Sequence, residues 1–337
     1  MSAALREFCL VVQESAFKTP VSTPTIWTTG TAYGLSHFQG AYVRLADGNG
    51  FTARSEPVMV ETPYGGGFAV PAFQVSDKQA IKGRLRIKLT IGQAPFWLNW
   101  AFTRISGGTS PWTTSEPNND LASCTVYHAK ELQPLSGTYK RTAYYGGKVD
   151  AATLSVSEAS TEAMLDLDIT FAGQDGNQFA STTDPDATAF PTPADNNFPI
   201  DPYVFLHAGG TSFVTFGGTV RTQFTDLTVS VQNAIARRYF ANRYVQIARM
   251  LGRRSTVAMK NLMVAATDRT HYEGLASEAC SIELNNGTHG FTLDFKAQNI
   301  LTQLQDDLPL ADLYFEAGTS LAHWDPAAGA DWTLTIA

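Results

Sequence analysis

Apolar and polar residues alternate with a period of two along several stretches, the spacing that sends one face of a strand into a core and the other into water. In residues 164–171, Leu165, Leu167, Ile169 and Phe171 fall on one side, and Asp166, Asp168 and Thr170 on the other. Residues 153–157 alternate likewise, and Glu158-Ala159-Ser160-Thr161 between the two runs suits a turn, so a hairpin is predicted. A second hairpin is predicted where 282–288 runs through Asn286-Gly287 into 291–295, because Asn and Gly both accept the positive φ of a tight hairpin turn. Residues 83–91 form a strand with Arg84, Arg86 and Lys88 on one face, and 227–231 and 332–336 read as strands too.

Helical signals are few. Residues 94–102 predict a short buried helix with Pro95 in its first turn, where a missing N–H costs nothing. Residues 233–249 carry Ile235, Tyr239 and several arginines. The pattern there leaves open a helix or an arm that prolongs the strand before it. Two stretches read as loops, 106–119 and the Asp-, Pro- and Gly-rich 173–202. The second is long for a connection within a compact domain, so the boundary between two halves is placed there. An aromatic-Gly-Gly-x-Val echo, at 145–149 before strand 154–156 and at 216–220 before strand 227–231, suggests a duplicated β unit, although Gly-Gly turns are common enough to match by chance.

Composition supports a β protein of about two domains. The 337 residues are 44% hydrophobic but only 16% charged, against about 25% for an average globular chain. Thr, Ser, Gly and Asn take the place of the missing charge and favour strands and turns. Low charge also suits a surface hidden against copies of the same chain. The net charge of -7 offers phosphate no broad basic face, which disfavours sequence-reading DNA binding. Cys9, Cys124 and Cys280 form no paired framework, so a reducing compartment is expected. No run approaches the ~20 apolar residues of a membrane span, and residues 1–17 lack a signal-peptide core, so synthesis inside a cell is expected.

Catalytic patterns are missing. His37, His128, His207, His271, His289 and His323 stand at no metal-ligand spacing, with each other or with cysteine. There is no Gly-x-Ser-x-Gly elbow. Ser15-Ala16-Phe17-Lys18 matches Ser-x-x-Lys without its partner motifs, and Tyr64-Gly65-Gly66-Gly67 lacks the Gly-Lys-Ser/Thr of a phosphate loop. Asp166 and Asp168 read better as a solvated strand face than as a catalytic pair. Asn286-Gly287-Thr288 fits a glycosylation acceptor only formally. Neither an enzymatic role nor a cofactor is expected. Arg249, Arg253 and Arg254 could hold a phosphate, meet acids of a neighbouring subunit, or face water.

The order of these features resembles the tail tube (major tail) proteins of long-tailed, siphophage-type bacteriophages. The resemblance spans about residue 7 to the end. Glu7-Phe8 through Glu14-Ser15-Ala16-Phe17-Lys18-Thr19-Pro20 is similar to an opening strand with a Glu-x-x-Phe-Gly-Thr-like turn, Lys18 standing where Gly is usual. The Gly-Gly-Lys-Val turn at 146–149 with strands 153–171 resembles a Gly-Val-Asp-x-x-Thr-Leu-Ser-Val segment. Residues 224–233 resemble a later strand ending in an Asn-rich turn, and 252–257 the Gly-Lys-Arg-x-Val step after it. The resemblance implies a mainly β fold: two tail-tube-like β-sandwich or half-barrel domains, 1–175 and 203–337, with short flanking helices and long loops. Residues 176–202 would be a linker or inter-ring loop.

It also implies a virion protein, made in the bacterial host cytoplasm, whose rings stack into a tube with an inner β-barrel. Two domains per chain would close a pseudo-sixfold ring with three chains. Implied partners are the tape measure protein, the tail terminator, distal tail or baseplate proteins, and DNA in transit without sequence-specific binding; no membrane is implied. A lumen passing DNA should repel phosphate, so Glu162, Asp166, Asp168, Glu283 and Asp294 are expected to line it. Arg249, Arg253 and Arg254 are expected to make inter-subunit contacts. An alternative is a carbohydrate-binding or adhesion β-sandwich of a phage tail tip, which would use the six tryptophans and twelve tyrosines to stack on sugars.

Overall fold

A computed structural model describes residues 7–20, 25–26, 39–43, 50–56, 60–63, 69–72, 78–90, 92–102, 105–106, 112–114, 121–131, 139–157, 163–175, 213–222, 224–240, 242, 244–262, 267–285, 290–307, 315–322 and 332–336. The chain is mainly β, with two helices among these residues. The strands are β1 (Glu7–Ala16), β2 (Thr19–Pro20), β3 (Gly40–Val43), β4 (Gly50–Glu56), β5 (Val60–Pro63), β6 (Ala69–Ala72) and β7 (Lys78–Lys88). Helix α1 (Ala94–Ala101) follows, then β8 (Ile105–Ser106), β9 (Trp112–Thr114), β10 (Cys124–Glu131), β11 (Tyr139–Ser157), β12 (Met164–Phe171) and β13 (Gly173–Asp175). The second half holds β14 (Phe213–Phe216), β15 (Thr219–Arg221), β16 (Phe224–Arg238), β17 (Ile247–Leu262), helix α2 (Thr267–Gly274), β18 (Ser277–Asn285), β19 (Gly290–Asp307), β20 (Phe315–Ala322) and β21 (Trp332–Ile336). All strands except the β5–β6 hairpin join one hydrogen-bonded antiparallel network.

The pairings repeat. In the first half β4 pairs with β7, β7 with β12, and β12 with the C-terminal part of β11. In the second, β16 pairs with β17, β17 with β20, and β20 with the C-terminal part of β19. Each half thus lays four strands side by side in the chain order first, second, fourth, third. The N-terminal part of β11 leaves this sheet to pair with β10 and β13, and β10 pairs with β1. The N-terminal part of β19 likewise pairs with β18 and β21, and β18 with β14. Helices α1 and α2 hold the same place in the order. The predicted echo does not mark this repeat: it aligns β11 with β16, which are direct neighbours, Ala151↔Gln232 through Ser157↔Asp226.

That β11–β16 pairing joins the two four-strand sets into a single eight-strand sheet, β4-β7-β12-β11-β16-β17-β20-β19. One hydrophobic core runs beneath both halves, including Leu85, Leu154, Leu165 and Leu167 from the first and Leu227, Val229, Val257 and Leu293 from the second. Alternation accounts for this face: Leu165, Leu167 and Ile169 are buried, while Met164, Asp166 and Asp168 are not.

Several sequence expectations change. Residues 146–149 do not turn; they lie inside β11, at the point where it passes from one sheet to the other. Gly146 takes φ +65, and a Cβ there would meet the Ala172 Cβ at 2.6 Å; at Gly147 a Cβ would meet the Phe171 ring at 2.6 Å. Residues 224–238 continue as one strand past Asn233, so no Asn-rich turn ends it. Of the two readings left open for 233–249, the arm is the one that forms: β16 runs on to Arg238 and pairs with β17 from Asn233↔Arg253 to Arg238↔Ile247. The loop 106–119 contains β9, which pairs with β21, and β13 occupies the start of 173–202; residues 176–202 lie outside the described residues. Helix α1 forms as predicted, with Pro at its start and every residue buried. The hairpins β11–β12 and β18–β19 form as predicted, although both turns, 158–162 and 286–289, lie outside the described residues.

Candidate functional site: the polar face and open edges of the central sheet

The side of the eight-strand sheet away from the core is rich in hydroxyls and mixed in charge. Rungs across it follow from the register. One runs Arg86, Asp166, Thr153, Ser230, Thr256; the next runs Arg84, Asp168, Ala151, Gln232, Arg254. The two basic and acidic strands predicted separately are therefore neighbours. Asp166 lies 3.5 Å from Arg84 and 3.7 Å from Arg86, ion pairs longer than a hydrogen bond and only partly exposed, worth about 1 kcal/mol or less each. Asp168 is exposed, across from Arg84. Cations outnumber acids across these rungs, so the patch is basic in balance rather than acidic.

The other expected lumen acids are not gathered here. Glu162 lies outside the described residues. Glu283 and Asp294 sit on β18 and the N-terminal part of β19, in the branch of the network that carries β14 and β21. Asp294 accepts a hydrogen bond from Ser281 Oγ at 2.6 Å. Among the arginines, Arg249 and Arg254 are exposed on β17, whereas Arg253 donates to the Phe102 carbonyl at 2.8 Å, beyond the last turn of α1. That contact favours a cation near a helix C-terminus and gives Arg253 a role within the chain.

The join between halves holds groups that periodicity did not single out. An open cleft of about 710 Å³ lies where the arm leaves the sheet, lined by Lys82, Arg84, Asp150, Asp168, Arg237 and Tyr239. Arg237 Nη2 meets Asp150 Oδ1 at 2.6 Å, and Thr170 Oγ1 donates to the same carboxylate. Lys148 is buried, donates to the Ala248 carbonyl at 2.6 Å and lies 5.5 Å from the Phe17 ring centre. Asn233 Nδ2 bridges the Ala101 and Val149 carbonyls at 3.3 and 3.0 Å. Each of these links the arm to the first half.

The opening turn is built around Glu14, a buried carboxylate. It accepts the Lys18 amide at 2.9 Å, the Thr125 hydroxyl at 2.8 Å and the Gly146 amide at 2.7 Å. Lys18 adopts φ 68, the left-handed region that favours glycine. Burial lowers the Lys18 pKa, and the Glu14 charge opposes that shift.

The three cysteines are buried and form no disulfide. Burial pushes the Cys124 thiol well up and the Cys280 thiol up to about 12, so both stay protonated and poorly nucleophilic. No group of three His, Cys, Asp or Glu side chains is placed to hold a metal among the described residues. None of their helices is long and apolar enough to cross a membrane.

Two strand edges of the central sheet have no strand partner among the described residues: the side of β4 away from β7, and the side of residues 301–307 of β19 away from β20. Open edges invite pairing with another chain. No protein-family model matches the sequence, and no curated protein matches it.

Proposed function

We propose that this protein is a self-assembling tube subunit, the tail tube protein of a long-tailed bacteriophage, rather than an enzyme. The observation that carries the reading is the repeated strand order: two equivalent four-strand sets already pair edge to edge inside one chain, and the outer edges of the pair have no strand partner among the described residues. The same join made between chains would extend the sheet into a closed barrel without edges. The two sets correspond to two tail-tube-like domains, 1–175 and 203–337, with 176–202 connecting them. Three chains give a pseudo-sixfold ring of twenty-four strands. At ~4.8 Å per strand and a tilt of roughly 40°, such a barrel has a backbone diameter on the order of 45–50 Å, wider than duplex DNA.

The hydroxyl-rich face, on which Asp166 and Asp168 temper the cations of β7, would line this channel and limit its hold on phosphate. The tape measure protein would occupy the lumen during assembly, with terminator and distal tail or baseplate proteins at the ends. The adhesion alternative gains little from the aromatic residues, because Trp97, Trp100 and Trp332 are buried in the core.

Sedimentation of the purified chain tests the reading. Concentration-dependent association into trimers and their multiples is expected, and Thr52→Pro or Gln305→Pro on the open edges should abolish it while leaving the monomer folded. Unchanged association of both proline variants contradicts edge-to-edge assembly.

A further inference from the structure

The two helices occupy equivalent places, yet their surroundings differ. Helix α1 is buried throughout, and Phe102 just beyond it is 1% exposed. Its C-terminal carbonyls are capped from the second half: Asn233 donates to Ala101 and Arg253 to Phe102, and the Trp332 ring lies edge-on to Phe102 at 5.5 Å. Asn233 and Arg253 face each other at the base of the β16–β17 arm. Helix α2 shows no such cover among the described residues. Leu275, which follows α2 as Phe102 follows α1, is 68% exposed, and Tyr272 is 39% exposed. Large apolar side chains left open at the end of a helix signal a surface completed by something else.

The chain's own junction identifies what that is. The cover over α1 is the strand pair next to it across the β11–β16 join. Across the corresponding open edge, β19, the matching strand pair is β4–β7 of another copy. Bulges fix the correspondence: β11 is irregular between Val149 and Ala151, and β19 between Leu301 and Gln303, so Ala151 and Gln303 hold the same position. Following the pairings through β20, β17 and β16 makes Val229 equivalent to Phe51 and Gln232 to Arg54. Between copies, Arg54 then stands opposite Gln303 and Gly50 opposite Asp307. The same correspondence matches Asn233↔Arg253 with the paired Ser55↔Gln79, which brings Gln79 to the end of α2.

We propose that the exposed end of α2, at Tyr272 and Leu275, is a docking surface for a second copy of this chain, whose β4–β7 strand pair crosses it as β16–β17 crosses α1. The inference rests on the tube reading and specifies one contact within it. Disulfide trapping tests it, using Gln79→Cys with Leu275→Cys in one chain and Arg54→Cys with Gln303→Cys in a second chain as the edge control. The native cysteines are buried and do not compete.

In assembled protein the 79/275 pair is expected to give a chain-to-chain ladder on a non-reducing gel, at least tenfold above either single variant, and Leu275→Asp should weaken association at least tenfold. Assembled protein that links 54 to 303 but not 79 to 275 overturns the docking inference and leaves the tube reading standing. Failure to assemble, with neither pair linking, overturns both.

Discussion

Leu154 stands directly opposite Val229, and at that rung the sheet of the first half becomes the sheet of the second. Both side chains are buried in one core that continues under both halves. Two repeats fused in this way should not melt separately. Thermal or urea unfolding is expected to show a single transition by fluorescence and circular dichroism alike. Leu154→Ala should lower stability by about 2–5 kcal/mol without splitting that transition. Two resolved transitions, only one of them shifted, would show that the halves are energetically independent.

Lys18 is held in the left-handed region by the Glu14 carboxylate on its amide. Lys18→Gly removes the clash of a Cβ in that conformation, which costs roughly 1–2 kcal/mol, and offsets it partly by a more flexible unfolded chain. A net gain of about 0.5–1 kcal/mol is expected in urea titration. A loss would mean that the Lys18 side chain contributes more than its backbone costs.

Glu14 receives three donors while buried. Glu14→Gln turns one acceptor oxygen into a donor that faces another N–H or O–H, and leaving such buried groups unsatisfied costs about 1–3 kcal/mol. Hydrogen exchange is expected to quicken at the Lys18 and Gly146 amides first, ahead of any global change. Unaltered exchange at both would remove Glu14 from its assigned role.

Burial raises the Cys280 thiol to about 12 from its ordinary 9.0 and moves the Tyr42 and Tyr144 hydroxyls upward as well. The unfolded chain loses these protons at lower pH than the folded one does. Their contribution to stability is therefore complete below about pH 9 and falls as pH rises toward the folded values. Urea midpoints should be flat with respect to these groups from pH 7 to 8 and decline above about pH 9, with a shallower decline in Cys280→Ala. An equal slope in that variant would exclude Cys280 as a contributor.

Strand alternation was legible where one face meets the core and the other meets water, as in 164–171, and Pro95 with its apolar neighbours marked α1. Helix α2 left no signal, because Thr-Asp-Arg-Thr-His-Tyr-Glu-Gly has no apolar stripe of its own. The Gly146-Gly147 pair reads locally as a turn, yet it lets a 19-residue strand change sheets beside Ala172 and Phe171. Alternation assigns charge to one strand at a time, so the acids of β12 and the cations of β7 fall on separate faces until their register places them together. The repeat escapes the sequence because it resides in pairing order and bulge positions, while equivalent residues such as Ala151 and Gln303 share little chemistry.

The acids on the polar face make a functional prediction within the tube reading. Asp166→Lys and Asp168→Lys would remove the carboxylates beside Arg84 and Arg86 and strengthen phosphate binding on this face. Rings should still form, and DNA ejection from phage carrying the variant should slow. Ejection at the wild-type rate would show that this face does not meet DNA.

Negative-stain electron microscopy of the purified protein across a range of concentrations tests the central claim most directly. Hollow rings or stacked tubes, with a ring mass of three chains, are the predicted result. Uniform monomers at every concentration, including the highest, would contradict it.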